Sequence, residues 1–482
     1  MKNICDIYNK EFSSLPEKVL QFGEGNFLRA FVDWYIQKAD EKGIFNGSVV
    51  IAQPTSHGRA DFLNQQKSFY TVAVRGRENG RVVDSYDRIS CVSRCINTFT
   101  DYQSLIDVAV SPDLQVIISN TTEAGIVYKE NEKLSDAPNV TYPAKLTALL
   151  YERFKKGEKG VLVLPAELIE DNGAVLKKYV LRYADDWSLG EDFKNYINNE
   201  CNFCSTLVDR IVTGFPKNDY NKITEELGYD DKLITVCEPY NSWIIQGDES
   251  LSEIFPIHKA GLNVIWCDDI KPYRTRKVRI LNGAHTMSVL AAYHAGFDIV
   301  RDMMQDSLFS AYVKKGLEQV MVTIDMPKDE LASFADAVLD RFDNPFINHK
   351  LLDISLNSVS KFKARCLYTL LDYVEITGKL PTILCFGLSA LIHFYNGRYV
   401  DGAFVGERNG LSYEIKDSKD VCDFFEQAYA TEDVVKSVLE NESFWDADLT
   451  KVSGLYDLVK KYFDDINAFG MMEAVKKVVE DE

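Results

Sequence analysis

The sequence contains no hydrophobic run long enough to predict a membrane-spanning helix. Its most apolar stretch, residues 380–395, has only 16 positions and includes His393, whereas a spanning helix needs about 20 apolar residues. Residues 1–6 also lack the apolar core of a secretory signal. We therefore expect a buried helix at residues 380–395 and a cytoplasmic protein that does not bind membranes.

The cysteines lack the spacing of a structural zinc site. Of ten cysteines, only Cys201 and Cys204 form a C-x-x-C pair, and Cys91 and Cys95 form a looser pair. A structural zinc ion usually takes four ligands from two such pairs in one framework. A metal at Cys201 and Cys204 is the less favoured alternative, and we predict reduced thiols and no metal.

Basic residues are in deficit, with 54 Lys and Arg against 73 Asp and Glu, which gives a net charge of −19. The negative electrostatic field of such a chain repels nucleic acid and anionic membrane surfaces, and it argues against non-specific association. We therefore expect a small molecule as the partner, and an anionic substrate would need a local basic patch.

The first half of the chain alternates short apolar runs with amphipathic segments. Near-continuous apolar strands separated by helices indicate a parallel sheet that is covered on both faces. Strands are predicted at residues 19–22, 48–52, 69–74, 114–119 and 160–164, with helices at 27–42 and 142–156.

After about residue 245 the apolar residues follow a helical period of 3.6. Helices are predicted at residues 278–295, 306–322, 328–342, 359–377, 431–441 and 455–467. The fold class is therefore α/β: an N-terminal Rossmann-like doubly wound parallel sheet that binds the nucleotide (residues 1–245), followed by a mainly α-helical C-terminal substrate and catalytic domain (246–482). We expect the active site where the helical half closes over the carboxyl ends of the strands.

A G-x-G turn follows the first predicted strand and precedes a helix, which is the context of the dinucleotide fingerprint. Gly23 permits the tight turn, Gly25 lets the backbone approach a pyrophosphate, and Leu28 replaces the third glycine. An ordinary glycine-rich turn is the alternative. The predicted cofactor contacts are Gly23, Gly25, Asn26, Phe27, Arg29, Gln53, Asn120, Thr121 and Glu123.

Four of these contacts, namely Gln53, Asn120, Thr121 and Glu123, follow later strands. Gln53 stands where the fingerprint has an acidic residue, so the residues themselves leave the choice between NAD and NADP open. Small and amide residues at 119–125 could line the nicotinamide ribose. A polar turn that caps a helix is the alternative for this segment.

The strongest chemical pattern is a K-x4-N-x2-H motif inside a basic run. At 100° per residue, Lys277, Asn282 and His285 fall on one side of an α-helix. A lysine whose pKa is lowered by neighbouring cations can act as the acid and base of an alcohol–ketone interconversion, and an amide can stabilise the oxyanion. The alternative is a solvated helix start with a core histidine.

Five of the nine residues from 271 to 279 are basic, in a strongly acidic chain. We predict that Arg274, Arg276 and Arg279 bind a substrate carboxylate. Asn172, after the fifth predicted strand, would alone be a helix N-cap. Together with Asn282 it could form a two-amide oxyanion clamp.

With these motifs in this order, the chain resembles the long-chain mannitol dehydrogenase family over essentially its full length. The family's nucleotide turn ends in Phe-x-Arg without a third glycine. The resemblance implies a zinc-independent, NAD-dependent oxidoreductase in which Lys277 is the acid/base, Asn172 and Asn282 stabilise the oxyanion and His285 orients the substrate. The segments that carry it are residues 22–30, 119–125, 167–173 and 277–285.

Residues 272–274 and 238–243 resemble the family members that act on sugar acids, although Asn241 departs from their aromatic–histidine pair. This implies the interconversion of D-altronate and D-tagaturonate in galacturonate breakdown. The alternatives are reduction of fructuronate to mannonate, a neutral polyol such as mannitol, and a non-catalytic nucleotide sensor. A neutral polyol would leave the basic run little to bind, and the retained motif argues against a sensor.

Overall fold

The computed structural model describes residues 1–8, 12–122 and 124–481. The chain divides into two compact units: unit 1 comprises residues 1–75 and 83–270, and unit 2 comprises residues 76–82 and 271–482. The boundary expected after residue 245 falls inside the strand Ser242–Gln246, whose parallel partner Val264–Cys267 comes later in the chain. Residues 246–270 accordingly belong to unit 1. Within the described ranges, no helix is long and apolar enough to cross a membrane.

Unit 1 contains thirteen strands among its described residues, although the tip of one hairpin belongs to unit 2. The strands are β1 (Glu17–Phe22), β2 (Ser48–Gln53), β3 (Tyr70–Glu78), β4 (Arg81–Ile89), β5 (Val92–Asn97), β6 (Val116–Ser119), β7 (Leu162–Pro165), β8 (Asn202–Phe203), β9 (Thr206–Asp209), β10 (Val212–Gly214), β11 (Thr235–Cys237), β12 (Ser242–Gln246) and β13 (Val264–Cys267).

Six of these strands form one parallel sheet in the order β5-β2-β1-β6-β7-β8. Counted along the chain within this sheet, the order is 3-2-1-4-5-6, which is the Rossmann order. The order reverses between β1 and β6, so a ligand crevice is expected at the carboxyl ends of these two strands. The predicted fold class is confirmed.

Apolar side chains from this sheet pack on both of its faces. Val19 and Ile118 belong to one hydrophobic cluster, whereas their neighbours Leu20 and Ile117 belong to another. A sheet covered on both faces explains why its strands are near-continuous apolar runs. The helices of unit 1 are α1 (Ile4–Ile7), α2 (Asn26–Ala30), α3 (Val32–Asp40), α4 (Ala60–Gln65), α5 (Tyr102–Ala109), α6 (Tyr142–Lys156), α7 (Asn172–Asp186), α8 (Glu191–Asn199), α9 (Tyr220–Leu227) and three 3-10 helices at Leu134–Asp136, Glu249–Glu253 and Ile257–Ala260.

Two details of unit 1 differ from the sequence prediction. The run at 69–74 is a strand, but β3 lies in a separate sheet of order β10-β11-β3-β4, and a third sheet has the order β13-β12-β9. An apolar run indicates a strand without specifying its partner. The helix predicted at 27–42 is broken at Phe31, where the backbone leaves the helical region (φ −124°, ψ −75°).

Unit 2 is mainly helical, as predicted. Its helices are α10 (Lys271–Arg276), α11 (Gly283–Ala295), α12 (Val300–Gln305), α13 (Ser307–Met321), α14 (Lys328–Phe342), α15 (Leu351–Ile354), α16 (Ser358–Phe362), α17 (Tyr368–Thr377), α18 (Thr382–Phe394), α19 (Lys419–Ala428), α20 (Val434–Leu439), α21 (Glu442–Trp445), α22 (Leu455–Phe469) and α23 (Met471–Asp481), with a 3-10 helix at Leu449–Lys451. Two π-helical turns, Lys277–Asn282 and Lys363–Leu367, interrupt the helical runs.

Unit 2 also contains an antiparallel sheet that the helical prediction missed. Its strands are β14 (Gly397–Val400), β15 (Ala403–Arg408) and β16 (Leu411–Glu414). The two connections are Asp-Gly at 401–402 and Asn-Gly at 409–410, and all four residues have positive φ. These dipeptides are the preferred two-residue hairpin turns, so the sequence did carry the signal.

Helix α18 forms the centre of unit 2 and confirms the buried helix predicted at residues 380–395. Eleven of its thirteen residues are buried. It approaches α11 closely at Gly387, where an added Cβ would lie 3.0 Å from the Met287 carbonyl oxygen. The Ser389 hydroxyl donates to the Val459 carbonyl of α22 at 2.9 Å.

Two half-buried histidines lie at the edge of this core. The rings of His294 and His393 meet edge to face at 4.7 Å, and His294 Nε2 lies 2.9 Å from the Tyr413 hydroxyl. Burial, together with the nearby His393 and Arg408, lowers the pKa of His294 to about 3. Unit 2 therefore holds His294 in its neutral form.

We predict that His294 makes the protein acid-sensitive. Because an unfolded histidine takes up a proton near pH 6.5 and the folded His294 does so only near pH 3, stability falls as the pH falls through this interval. The loss should reach about 2 kcal/mol between pH 7 and pH 5. Between pH 7 and pH 5, His294→Gln should therefore lose about 2 kcal/mol less stability than the wild type. Urea unfolding at the two pH values measures the free energies of unfolding. His57→Gln, on an exposed loop, is the control and should follow the wild type; a slope in His294→Gln equal to that of the wild type would contradict the assignment.

Candidate functional site

The turn after β1 brings the backbone to the sheet crevice. Gly23 has φ +124°, and an added Cβ would lie 3.1 Å from both the Asn120 carbonyl oxygen and Leu28 Cδ1. Gly25 is the N-cap of α2, and an added Cβ would have no protein atom within 4 Å. Gly23 is needed for the turn itself, whereas the open space at Gly25 lies where the fingerprint predicts a pyrophosphate.

Arg29 lies beneath this turn and is fully buried. Its guanidinium donates from Nε to the Glu24 carbonyl (3.1 Å), from Nη1 to the Leu233 carbonyl (2.6 Å) and from Nη2 to Asn26 Oδ1 (2.7 Å). Burial lowers the pKa of Arg29 from its ordinary value. Arg29 therefore holds the turn and Asn26 in place from inside, which corrects its prediction as a direct cofactor contact.

Phe27 and Gln53 also shape the turn region. The Phe27 ring stacks on Phe31 with centroids 5.0 Å apart. Both ends of the Gln53 amide are used locally: Oε1 accepts from the Ala60 N–H (3.0 Å) and Nε2 donates to the Thr55 carbonyl (2.8 Å). Gln53 thus fixes the loop at the carboxyl end of β2, where the fingerprint would have an acidic residue.

Asn120 and Thr121 follow β6 at the carboxyl edge of the sheet. The Asn120 side-chain amide donates to the Ala166 carbonyl at 3.1 Å, and Glu167 holds Thr121 and Ser119. The Asn120 N–H donates to the Phe22 carbonyl of β1 at 3.1 Å. The Thr121 N–H and hydroxyl both donate to Glu167 Oε1 at 2.9 Å, and the Ser119 hydroxyl donates to Oε2 at 3.1 Å. Burial raises the pKa of Glu167, and these hydrogen bonds oppose the rise.

Sequence reasoning gave Glu167 no role. Glu167 lies two residues after β7, at the same sheet edge as the end of β6. This position after a predicted strand is the sequence signal from which its place at the crevice could have been predicted. Glu123, the remaining predicted contact, lies outside the described residues.

Asn172 is the first residue of α7 and is buried in unit 1. Its Nδ2 donates to the carbonyls of Pro165 (3.0 Å), Glu167 (2.9 Å) and Thr206 (3.2 Å), and its Oδ1 accepts from the Gly173 and Thr206 N–H groups. An amide has only two N–H donors, so both are already used. In this geometry Asn172 ties the end of β7 to β9, and its predicted oxyanion role would require one of these bonds to break.

Lys277 and Asn282 are the first and last residues of a π-helical turn, not part of an α-helix as the 100° geometry assumed. The Gly283 N–H reaches back five residues to the Val278 carbonyl, which is the hydrogen-bond pattern of a π-helix. Because a π turn closes on residue i+5, residues five apart such as Lys277 and Asn282 lie closer to the same side of the helix than they would in an α-helix. The α-helical assumption separated them by about 140°, and π turns often occur at functional sites.

His285 follows one turn later and is held by aromatic rings. It stacks on Phe342 at 4.0 Å and meets the edge of His349 at 5.6 Å. Its Nε2 is buried and has no hydrogen-bond partner within the described part of the chain. Burial lowers the pKa of His285 well below its ordinary value, and the charges of Arg341 and Arg365 lower it further. A neutral ring with an unpartnered nitrogen is suited to orienting a substrate hydroxyl.

Two of the three predicted carboxylate-binding arginines are engaged elsewhere. Arg279 donates from Nη1 to the Thr323 hydroxyl (2.8 Å) and from Nη2 to Asp372 (2.5 Å). Arg276 is buried, with its guanidinium 4.6 Å from the centre of the Phe334 ring and 3.9 Å from Glu330 Oε2. Arg279 thus uses donors of both terminal nitrogens within the protein, whereas Arg276 Nε is buried and has no hydrogen-bond partner among the described residues. Carboxylate binding by these arginines stays a prediction. Arg274 is half-buried on α10.

The structure thus gathers the predicted residues into two sets. The cofactor contacts and Asn172 belong to unit 1, and Lys277, Asn282 and His285 belong to unit 2, in one continuous helical run. Over residues 1–8, 12–122 and 124–481, no group of three His, Cys, Asp or Glu side chains has the arrangement of a metal site. All ten cysteines, including Cys201 and Cys204, are free thiols.

Both units match sequence models of one protein family. The mannitol dehydrogenase Rossmann domain matches residues 17–259, and the mannitol dehydrogenase C-terminal domain matches residues 269–467. The boundary between the structural units, after residue 270, lies within two residues of the start of the C-terminal match.

Several characterised relatives are similar over nearly the whole chain. The altronate oxidoreductase of Enterobacter sp. (strain 638) is 44% identical over 477 residues, which cover 96% of this chain and 97% of that protein. The altronate oxidoreductase of Halalkalibacterium halodurans is 41% identical over 482 residues, which cover 97% and 94%. That of Shigella flexneri is 43% identical over 475 residues and 96% of each chain.

Two solved structures share the fold at lower sequence identity. D-sorbitol dehydrogenase in substrate-free form superposes with a TM-score of 0.82 at 21% identity, covering 96% of each chain. Pseudomonas fluorescens mannitol 2-dehydrogenase, in a ternary complex with NAD and D-mannitol, gives a TM-score of 0.66 at 21% identity, covering 98% of this chain and 96% of that one.

The two glycines of the turn should respond oppositely to substitution. Gly23→Ala should cost about 1–2 kcal/mol of folding free energy, because an alanine at φ +124° is strained and meets Asn120. Gly25→Ala should leave stability within about 0.5 kcal/mol and weaken dinucleotide binding about tenfold or more. Urea unfolding and quenching of protein fluorescence by NADH measure the two effects, and equal NADH affinity in Gly25→Ala and wild type would refute the pyrophosphate site.

Proposed function

The chain belongs to the mannitol dehydrogenase family, and we propose that it is an NAD-dependent oxidoreductase that interconverts D-altronate and D-tagaturonate. The observation that carries the substrate is the 41–44% identity to proteins named altronate oxidoreductase over 96–97% of this chain. The geometry of unit 2 supports the chemistry, because a lysine, an amide and a neutral histidine with an unpartnered nitrogen follow one another along one helical run.

The cofactor of this chemistry is a nicotinamide dinucleotide, and NAD is the form we propose. When bound, the reduced nicotinamide supplies a hydride to the carbonyl carbon. The open space at Gly25 accommodates the pyrophosphate, and Asn26, Asn120 and Thr121 surround the crevice. Arg29 and Glu167 act indirectly: Arg29 keeps the turn after β1 in position, and Glu167 keeps the loop after β6 in position.

Lys277 is the proposed general acid in the reducing direction. Its ammonium donates a proton to the ketone oxygen as the carbonyl carbon becomes tetrahedral, and in the reverse direction the neutral amine removes the hydroxyl proton. Asn282, one π turn away, donates from its amide to the same oxygen and stabilises the negative charge that develops on it. We assign this role to Asn282 alone, because both N–H groups of Asn172 are engaged.

His285 orients the substrate. Because burial keeps its ring neutral, Nε2 can form a hydrogen bond with a substrate hydroxyl without adding a charge next to the ketone. Stacking on Phe342 fixes the plane of the ring. Physiologically, the proposed direction is reduction of the ketone.

The proposal is tested by mixing the purified protein with NADH and following cofactor oxidation with tagaturonate, fructuronate and fructose in separate assays. Turnover should be fastest with tagaturonate. A preference for fructuronate or fructose would reject the proposed substrate and keep the lysine chemistry. No turnover with any of the three, with NADPH as well as NADH, would reject the enzymatic function.

Lys277→Ala should lower kcat by about 10²–10⁴-fold, because the developing oxyanion then has no proton donor. The affinity for NADH should stay within about twofold, since the residue lies outside unit 1. Lys328→Ala, at the exposed start of α14, is the control and should match the wild type. Near-native turnover of Lys277→Ala at neutral pH would show that the assigned acid is wrong.

A further inference from the structure

The proposed substrate carries a carboxylate, and this carboxylate needs a cationic side chain as its partner in the binding site. The basic run at 271–279 contains three arginines. Arg279 is hydrogen-bonded to Asp372 and Thr323, and Arg276 is buried against Phe334, with Glu330 Oε2 at 3.9 Å. A carboxylate held in a partly buried pocket needs a cation with unused hydrogen-bond donors.

Arg365 belongs to the second π turn, Lys363–Leu367, which packs on the start of α11. The Arg365 carbonyl oxygen lies 3.5 Å from the position of a Cβ on Gly283, and Cys366 Sγ lies 3.8 Å from the Gly283 carbonyl. The Arg365 guanidinium approaches the Thr286 hydroxyl at 3.4 Å from Nη1. Arg365 therefore lies beside the residues that immediately follow Asn282 and flank His285.

The charge of Arg365 is not compensated by the protein. Arg365 is half-buried, and its one side-chain hydrogen bond within the described part of the chain is the long contact to Thr286. Nearby Lys361 is also half-buried and donates to the Ile354 carbonyl at 2.9 Å. Burial lowers the pKa of Arg365 and, with the charge of Arg365, that of Lys361.

A half-buried cation without an acidic partner, such as Arg365, is costly, because desolvation is not offset by an ion pair. Lys361 differs, because the charge of Asp417 raises its pKa against the other effects. The cost is notable in a chain with 19 more acidic than basic side chains, where carboxylates are abundant. The charge of Arg365 also lowers the pKa of the nearby His285. The missing counter-charge is then supplied by an anionic ligand.

We propose that the guanidinium of Arg365 binds the carboxylate of the sugar-acid substrate and makes the chain prefer a uronate to the corresponding neutral ketose. The planar guanidinium can donate two parallel hydrogen bonds to a carboxylate, which a hydroxymethyl group cannot accept. This inference rests on the proposed function and names the residue that would set its specificity.

The test compares binding of D-altronate with binding of the hexitol that has a hydroxymethyl group in place of the carboxylate. Titration calorimetry on the NADH complex gives both dissociation constants without turnover. In Arg365→Gln, the dissociation constant for altronate should rise about 10- to 100-fold, and that for the hexitol should change less than about threefold. Arg365→Lys should recover part of the altronate affinity because it keeps the charge.

Arg279→Gln is the matched control, since it removes a half-buried arginine that is already paired with Asp372. It should lower stability without changing the ratio of the two dissociation constants. In the wild type, the altronate affinity should also weaken with added salt more than the hexitol affinity does, which tests the ion pair even if Arg365→Gln folds poorly.

Two results would overturn the inference. An unchanged altronate affinity in Arg365→Gln, or an equal loss for both ligands, would remove Arg365 from carboxylate recognition while leaving the proposed function intact. A wild-type protein that neither reduces tagaturonate nor binds altronate would overturn the proposed function, and the role of Arg365 with it.

Discussion

The π turn at Lys277–Asn282 is the constraint on which the catalytic arrangement depends. The Gly283 N–H reaches back five residues to the Val278 carbonyl, so residues five apart, such as Lys277 and Asn282, lie closer to one side of the helix than the separation of about 140° in an α-helix. The proposed acid and the proposed oxyanion donor can therefore act on the same oxygen without any contribution from a loop. Gly283 then resumes the α-helix, and His285 follows on it. A helical scaffold holds such side chains more tightly than a loop does.

The two ends of the proposed substrate meet side chains of different charge. At the reacting end, burial keeps His285 neutral, so the proton that moves belongs to Lys277. At the other end, Arg365 keeps a charge that no acidic side chain of the described residues neutralises. The surrounding chain is strongly acidic. A local cation in such a field discriminates between anionic and neutral ligands more sharply than hydrogen bonds to hydroxyl groups would.

The sequence predicted the features that depend on local pattern. Buried parallel strands such as Ser48–Gln53 are continuous apolar runs, and the G-x-G turn follows directly from the first of the strands, so both the sheet and the crevice could be placed. The contacts of Arg276 and Arg279 could not be predicted in this way, because their partners come from segments much later in the chain. These partners are Glu330, Thr323 and Asp372. The π turns were also missed, since apolar periodicity assumes one helical pitch. The hairpins with turns at 401–402 and 409–410 could have been predicted, because their turn dipeptides are visible in the sequence. The helical pattern around them outweighed this signal in the prediction.

Removal of the Asn282 amide tests the central claim most directly. Asn282→Ala keeps Lys277 and His285 in the chain and removes only the proposed oxyanion donor at the end of the π turn. The account predicts that kcat for tagaturonate falls by about 10²-fold or more, while NADH binding and the helical circular dichroism signal stay at wild-type values. Turnover within tenfold of the wild type, in a protein that folds and binds NADH normally, would contradict the claim that Asn282 and Lys277 act on the same oxygen.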